Sequence, residues 1–376
     1  MRKALPAVNA GRKLAAMDSE LRQLADRALE SLLAAFTTLT GGEAYWPLWL
    51  AWDPLSERIA APLATLGLVL VLEMAWPAGW RPRHGLDWLI GQISAAAAWR
   101  LNRSLRSEAT RRWRGGVLWL AAALAAGALG WILAGLPGRG DFLWLLPALA
   151  LWSTFGLRQG FAQAVALGLA LRRRGRQAAI DLAKVGGGRQ GSLVDEHDVA
   201  RHGVERLADG LVEAAVGPAL WFLMAGLPGA LVFVAVCGLH RRLAEGPHNR
   251  AFGTVVRRAH GVLAMPAALV AVPLLALSAP LVGRASTLGV WRGLASARRH
   301  PSHALGLSMA AMGGALGLVL GGPRRFQAGA PGGGWIGPAD GRARAEARDL
   351  IPAAWLMATA MLWLLAAIAL VGLAID

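Results

Sequence analysis

Six apolar runs, each reaching or approaching the length of a bilayer crossing, alternate with arginine-rich connections. This alternation constrains the fold more than any motif. The runs are Ile59–Trp76, Gly116–Leu136, Phe142–Ala170, Ala214–Leu239, Val262–Val282 and Ile351–Ile375. A spanning helix needs about 20 apolar residues, and a helix satisfies its own backbone polar groups in lipid. The expected fold class is all-α: a polytopic membrane protein with about 5–7 membrane-embedded helices and arginine-rich cytoplasmic loops. A composition 55% hydrophobic and 16% charged agrees with it.

Two connections are dense in arginine: residues 77–114 carry eight, and 172–206 carry seven plus Lys184. Both are expected to be cytoplasmic by the positive-inside bias, with the chain multi-pass in a bacterial inner membrane. The second and third runs flank the short turn Pro137-Gly138-Arg139-Gly140-Asp141 and read as a helical hairpin. The fourth is interrupted by Gly226-Leu227-Pro228-Gly229. It is either one kinked span or two short re-entrant halves, because proline removes a helical donor. The side on which Arg241, Arg242, Arg250, Arg257 and Arg258 emerge depends on that choice and stays open. No cleavable signal is expected before the first run: residues 1–58 read as an N-terminal extension, amphipathic from Asp18 to Phe36, and residues 59–376 as the membrane domain.

The net charge of +16, with 36 of 39 basic residues arginine, raises nucleic acid as a partner. The arginines lie between apolar runs, where anionic lipid headgroups favour them, so the bilayer is the expected partner and nucleic acid is not. Seventeen Trp against one Tyr, several near run ends (Trp76, Trp113, Trp119, Trp221, Trp355), suit the headgroup layer. Cys237 is the single cysteine and lies inside an apolar run. Internal disulfides are impossible, and the position reads as a buried structural thiol rather than a thiolate metal site.

Acidic residues gather before the fourth run. Asp195, Glu196, His197, Asp198, His202, Glu205, Asp209 and Glu213 fall within nineteen residues. Glu205, Asp209 and Glu213 follow i, i+4, i+8 spacing, which aligns three carboxylates on a helix, as Mg²⁺ bound to phosphate would need. A solvated face paired with Arg201 and Arg206 is the competing reading. His197 and His202 are five apart, which does not suit two ligands on one helix turn. Gly186-Gly187-Gly188-Arg189 lacks the Gly-Lys-Ser/Thr ending of a phosphate-binding loop and reads as a flexible loop.

The stretch HPSHALGLSMAAMGGALGLVLGGPRRF (300–326) combines a short apolar middle with polar ends. Gly313, Gly317 and Gly321 form one row of small residues, and Gly306, Ala310 and Gly314 another, so the middle reads as a close-packed helix. Gly321-Gly322-Pro323-Arg324-Arg325 offers backbone amides and two guanidinium groups suited to phosphate or carboxylate.

With these segments in order, the chain resembles the CobD/CbiB family of membrane proteins, over roughly residues 66–370. The resemblance is carried by HPS, AAMGGALG and LGGPRRF (300–302, 310–317, 320–326) and by VERLADGLVEAAVGPALWFLMAGLPGALVFVAV (204–236). Phe252-Gly253, Arg258, Glu73 and RHGLDWLIG (83–91) add to it. It implies adenosylcobinamide-phosphate synthase chemistry of cobalamin biosynthesis: ATP-dependent amide ligation of adenosylcobyric acid, a corrinoid, with an aminopropanol or its phosphate. Mg²⁺ and ATP are the implied cofactors. Carried onto this chain, the candidates are Glu205, Asp209, Glu213 and His300 as catalytic residues, and Asp209 and Glu213 as metal ligands. Arg189, Gly321, Gly322, Arg324 and Arg325 are the candidates for the nucleotide.

Several positions depart from the family pattern. Arg189-Gln190-Gly191 replaces Arg-Asp-Thr, Asp209-Gly210 replaces Glu-Asn, and Glu213-Ala214 replaces Asp-Gly. Cys237-Gly238-Leu239-His240 stands for Asn-Thr-Leu-Asp, His260-Gly261 for an Asp pair, and Ser308-Met309 where an acid is usual. These losses support an alternative, a non-catalytic AmpE-like relative. A transporter has little behind it, since no span carries a mid-membrane charge pair.

Overall fold

Where apolar periodicity meets a capping residue, a helix begins. Ser107 accepts from the Thr110 amide at the start of one long helix, and Asp195 accepts from the Asp198 amide (2.7 Å) at the start of another, satisfying otherwise orphaned N-terminal donors. The computed structural model describes residues 55–75, 86–135, 145–185, 195–243, 247–322 and 334–375. The sequence-expected amphipathic segment 18–36 and the turn 137–141 lie outside these residues.

Within them the chain is helical: α1 (Leu55–Ala75), α2 (Leu86–Leu101), α3 (Glu108–Ala134), α4 (Leu145–Thr154), α5 (Leu157–Arg173) and α6 (Arg176–Val185) come first. α7 (Glu196–Leu211), a π-helical turn (Val212–Val216), α8 (Gly217–Leu243) and α9 (Thr254–Ser278) come next. α10 (Thr287–Gly293), α11 (His303–Leu316) and α12 (Leu350–Ile375) complete the helices. One antiparallel ribbon pairs β1 (Leu320–Gly321) with β2 (Trp335–Ile336). Among the described residues, four helical stretches are by length and composition long and apolar enough to cross a membrane: Glu108–Ala134, Glu196–Leu243, Thr254–Leu281 and Ala347–Leu373. Two shorter apolar helices, Pro62–Ala75 and His303–Leu316, accompany them. The all-α polytopic class is therefore as the apolar runs indicate.

Three details differ from the sequence reading or complete it. Residues 77–114 are not a continuous loop, because α2 forms within them and packs on α8; its run of four alanines favours helix. The third run is two helices rather than one. Ser153 and Thr154 donate to the carbonyls of Ala150 and Leu151 (2.7 and 2.6 Å), and Gly156 donates its amide across to Ala214 (3.0 Å). These bonds end α4 and fix the start of α5.

The third concerns α8, whose helical backbone breaks at Ala225 and Gly226, the latter at φ 65°, ψ −162°, a region open essentially to glycine. Beyond the break the chain returns along itself. The Phe233 ring lies where a Cβ at Gly217 would have to go, and Arg241 reaches Glu213. The Gly-Leu-Pro-Gly segment is thus the tip of a helical hairpin, and of the two alternatives the re-entrant one holds. The emerging end is tied to the first arginine-rich connection. Asn102 donates to Asn249 Oδ1 (2.9 Å), Arg111 Nε donates to Asn102 Oδ1 (2.7 Å), and Arg111 also bonds the His248 carbonyl. Arg241, Arg242 and Arg250 therefore emerge at the end of the molecule that holds Arg103 and Arg111.

α11 is buried on almost every side. At Gly314 a Cβ would collide with the Gly289 carbonyl of α10, so the small-residue row is what lets these backbones touch. Gly317, in the left-handed region (φ 63°), ends the helix and sends the chain into β1. The main core joins α1, α5, α7, both arms of α8, α9, α11 and α12.

Candidate functional site

The acidic helix α7 and the turn after it do not bring Glu205 and Glu213 to one set of neighbours. The π turn that begins at Val212 adds a residue to the local winding, which rotates the residues beyond it by about 100°. Glu205 and Glu213, both buried, are eight residues apart, about two turns along the axis, and Glu213 lies within the π turn itself; they serve different neighbours.

Glu205 Oε1 accepts the backbone amide of Gly321 at 2.7 Å. One predicted catalytic acid is thereby brought onto the first glycine of the predicted anion-binding segment. Gly321 and Gly322 both have left-handed φ (75° and 86°), and that conformation carries the strap past α7. Arg324 and Arg325, the next residues but one in the chain, lie outside the described residues, as does Arg189. Asp209 is half-buried one turn beyond Glu205. It is not part of the donor group that forms around Glu213.

Glu213 faces α9 and the returning arm of α8. Its Oε1 accepts from His260 Nε2 at 2.8 Å, and its Oε2 lies 3.3 Å from Arg241 Nε. His240 Nδ1 is 3.8 Å from Oε1. The His240 and His260 rings are stacked, with centroids 3.8 Å apart and planes 4° from parallel. Cys237 completes the surroundings: one donor atom from each of Glu213, Cys237 and His260 lies within 4.8 Å of the others. His300 is within electrostatic range of His240, and its Nδ1 accepts the Ser302 amide (3.0 Å), folding the ring onto the start of α11. His197 contacts the Ala345 carbonyl (2.8 Å), and Arg201 pairs with Asp198 and reaches Ala343. These last residues anchor α7 to the segment before α12.

Cys237, His240, Arg241 and His260 do not stand out for chemistry in the sequence. Two of them occupy positions that count there as lost acids. Histidine stands at both, and in the fold the two rings lie against each other beside a retained carboxylate. The shared substitution is the available signal.

A family model described as CobD/Cbib protein matches residues 64–357. The cobalamin biosynthesis protein CobD of Stutzerimonas stutzeri (strain A1501) is 32% identical over 250 residues, covering 63% of this chain and 79% of that protein. The protein of the same name from Brucella suis biovar 1 (strain 1330) is 35% identical over 196 residues, 50% of this chain and 58% of its own length. That from Rhizobium meliloti (strain 1021) is 30% identical over 232 residues, with 60% and 70% covered. The chain thus spans little more than half of the Brucella suis relative and larger shares of the other two. No solved structure matches. The family match covers α7, the π turn, the α8 hairpin and the 300–322 strap, and the chain belongs to the CobD/Cbib protein family.

Proposed function

We propose that this protein acts in cobalamin biosynthesis at the bacterial inner membrane as an adenosylcobinamide-phosphate synthase-like ligase. The reaction would join a carboxyl group of adenosylcobyric acid to the amine of an aminopropanol or its phosphate. ATP would activate the carboxyl group by phosphoryl transfer. Attack by the amine would then form the C–N bond and expel phosphate, with the amine proton passing to a base. Such a path needs basic groups where phosphate charge develops and a positioned proton acceptor.

The observation that carries this reading is the bond between Glu205 and Gly321. It joins the acidic helix to Gly321, the first residue of the Gly-Gly-Pro-Arg-Arg segment, so a candidate acid meets the described start of that segment. In this reading Arg189, Arg324 and Arg325 take the phosphate charge, Glu205 holds the strap, and His300 and Asp209 are the candidate proton carriers. The arginine-rich ends gathered by the Asn102–Asn249 contact would face the cytoplasm, where nucleotide and corrinoid are available. The test is complementation of a cobalamin auxotroph lacking its own synthase, together with an ATP-dependent ligation assay on the purified protein. Growth and product formation are expected; a folded, membrane-inserted protein that supports neither overturns the reading.

A second reading, a non-catalytic AmpE-like relative, is favoured by the occupancy of Glu213. Arg241 and His260 hold its two oxygens, as expected of a carboxylate retained for structure. Genome neighbours for corrin assembly support the ligase, and their absence supports the relative.

A further inference from the structure

Nucleotide-dependent ligation calls for a hard, oxygen-lined ion site, and Asp209 and Glu213 are the ligands expected from the sequence, of which Glu213 alone joins a close donor group. The donors gathered there are of another kind. Glu213 comes from the π turn, Cys237 from the returning arm of α8 and His260 from α9. All three side chains are buried, and one donor atom of each lies within 4.8 Å of the others. Among the described residues no other group of three His, Cys, Asp or Glu side chains meets that spacing.

Mg²⁺ does not fit this set. It requires a near-ideal octahedron of oxygens and parts reluctantly with water. Here one carboxylate oxygen is held by Arg241, and the remaining donors are one oxygen, an imidazole nitrogen and a sulfur. Oxygen, nitrogen and thiolate together suit a borderline ion of the zinc class, with bonds of about 2.0–2.3 Å. Three protein ligands also leave a fourth tetrahedral position open, as in catalytic rather than structural zinc sites. The charge balances: a thiolate and a carboxylate match a divalent ion, while Arg241 holds the carboxylate from its far side.

The ring geometry assigns the two histidines different parts. An ion in the plane of one stacked ring lies well out of the plane of the other, so His240 and His260 cannot both ligate it well. His260 is the ligand, and His240 is a positioning residue that fixes the plane of His260. His260 Nδ1 is itself buried and meets no hydrogen-bond partner among the described residues. That nitrogen can carry the ring proton when Nε2, the nitrogen at Glu213, turns to an ion.

We infer that Glu213, Cys237 and His260 form a binding site for a zinc-class divalent transition metal in place of Mg²⁺. On loading, Cys237 releases its thiol proton to solvent, the His260 ring proton passes from Nε2 to Nδ1, and the Glu213–His260 hydrogen bond gives way to two bonds to the ion. This replaces the metal expected at Glu213 under the ligase reading, yet metal binding is measurable whether or not the protein ligates anything.

The experiment uses full-length protein purified in detergent, stripped with chelator and titrated with CoCl₂, ZnCl₂ or MgCl₂. One equivalent of Co²⁺ is expected to give the visible bands of a four-coordinate ion and a thiolate-to-cobalt charge-transfer band. Zn²⁺ should displace it, and a hundredfold excess of Mg²⁺ should not. Cys237→Ser should abolish the charge-transfer band, and Glu213→Gln and His260→Gln should each weaken Co²⁺ binding at least tenfold. Should His260→Gln fail to fold, Cys237→Ser with its near-isosteric side chain carries the test. Three outcomes overturn the inference: no stoichiometric Co²⁺ or Zn²⁺ on folded wild type, an unchanged spectrum in Cys237→Ser, or displacement by Mg²⁺. Failure of the ligation assay beside a normal cobalt spectrum would overturn the ligase reading alone.

Discussion

The carboxylate of Glu213 lies 3.3 Å from the guanidinium of Arg241 although the chain between them is helical but for one break. A straight helix would hold the two far apart, at 1.5 Å of rise per residue. The pair therefore depends on the hairpin, and the hairpin in turn buries a charge that needs the pair. Removing Arg241 with Arg241→Leu should destabilise the protein by about 3 kcal/mol. That is the low end for a broken buried ion pair, because Arg241 keeps 31% of its side chain exposed. Adding Glu213→Gln should recover much of the loss, read as unfolding midpoints in detergent.

The tip of the hairpin makes its own prediction. Gly226 occupies backbone space that other residues enter only under strain, at about 1–3 kcal/mol. Gly226→Ala should lower the unfolding midpoint by that amount. The neighbouring Ala225→Gly, which keeps the turn permitted, should change it by less than half as much.

At the strap, Glu205→Ala removes an acceptor from the Gly321 amide. A hydrogen bond to a charged group contributes about 1.5–3 kcal/mol, so the 320–322 segment should exchange its amide hydrogens faster while α9 and α12 stay protected. Glu205→Gln keeps an acceptor and should exchange more nearly as wild type. Under the ligase reading, only the alanine variant should fail to support growth of the auxotroph.

Orientation can be measured directly because Cys237 is the single cysteine. In a Cys237→Ser background, Ser104→Cys and Arg250→Cys place probes at two exposed positions on segments tied by Asn102 and Asn249. A membrane-impermeant maleimide should label both from the same face of sealed vesicles. Labelling from opposite faces would contradict the hairpin.

The helical class and the close-packed α11 are legible in the chain, whereas a shared site for Glu205 and Gly321 is implied there only by the family resemblance. The first two rest on local regularities: apolar run length and rows of small residues. The rest requires three dimensions. Spacing aligns Glu205, Asp209 and Glu213 on one stripe only for an ideal helix, and a π turn begins at Val212. Gly226 and Pro228 admit both a kink and a reversal, and only packing of the returning arm decides between them. Cys237 reads as an isolated thiol because its partners, Glu213 and His260, lie far off in sequence. His240 and His260 read one at a time as departures, and their stacking is visible only when the arms of the fold close.

The reversal at Gly226 also bears on how the chain enters a membrane during synthesis. Each arginine moved to mid-bilayer depth costs on the order of 2.5–3.5 kcal/mol on insertion scales. A single straight crossing at Ala214–Leu239 would force Arg241, Arg242, Arg250, Arg257 and Arg258 through the hydrocarbon to the far side. A hairpin entering and leaving by one face translocates none of them, and only its uncharged tip, Gly-Leu-Pro-Gly, descends. In a bilayer, this segment would assemble by partitioning from one leaflet, and the polar cluster at its base would form without any of its charges crossing.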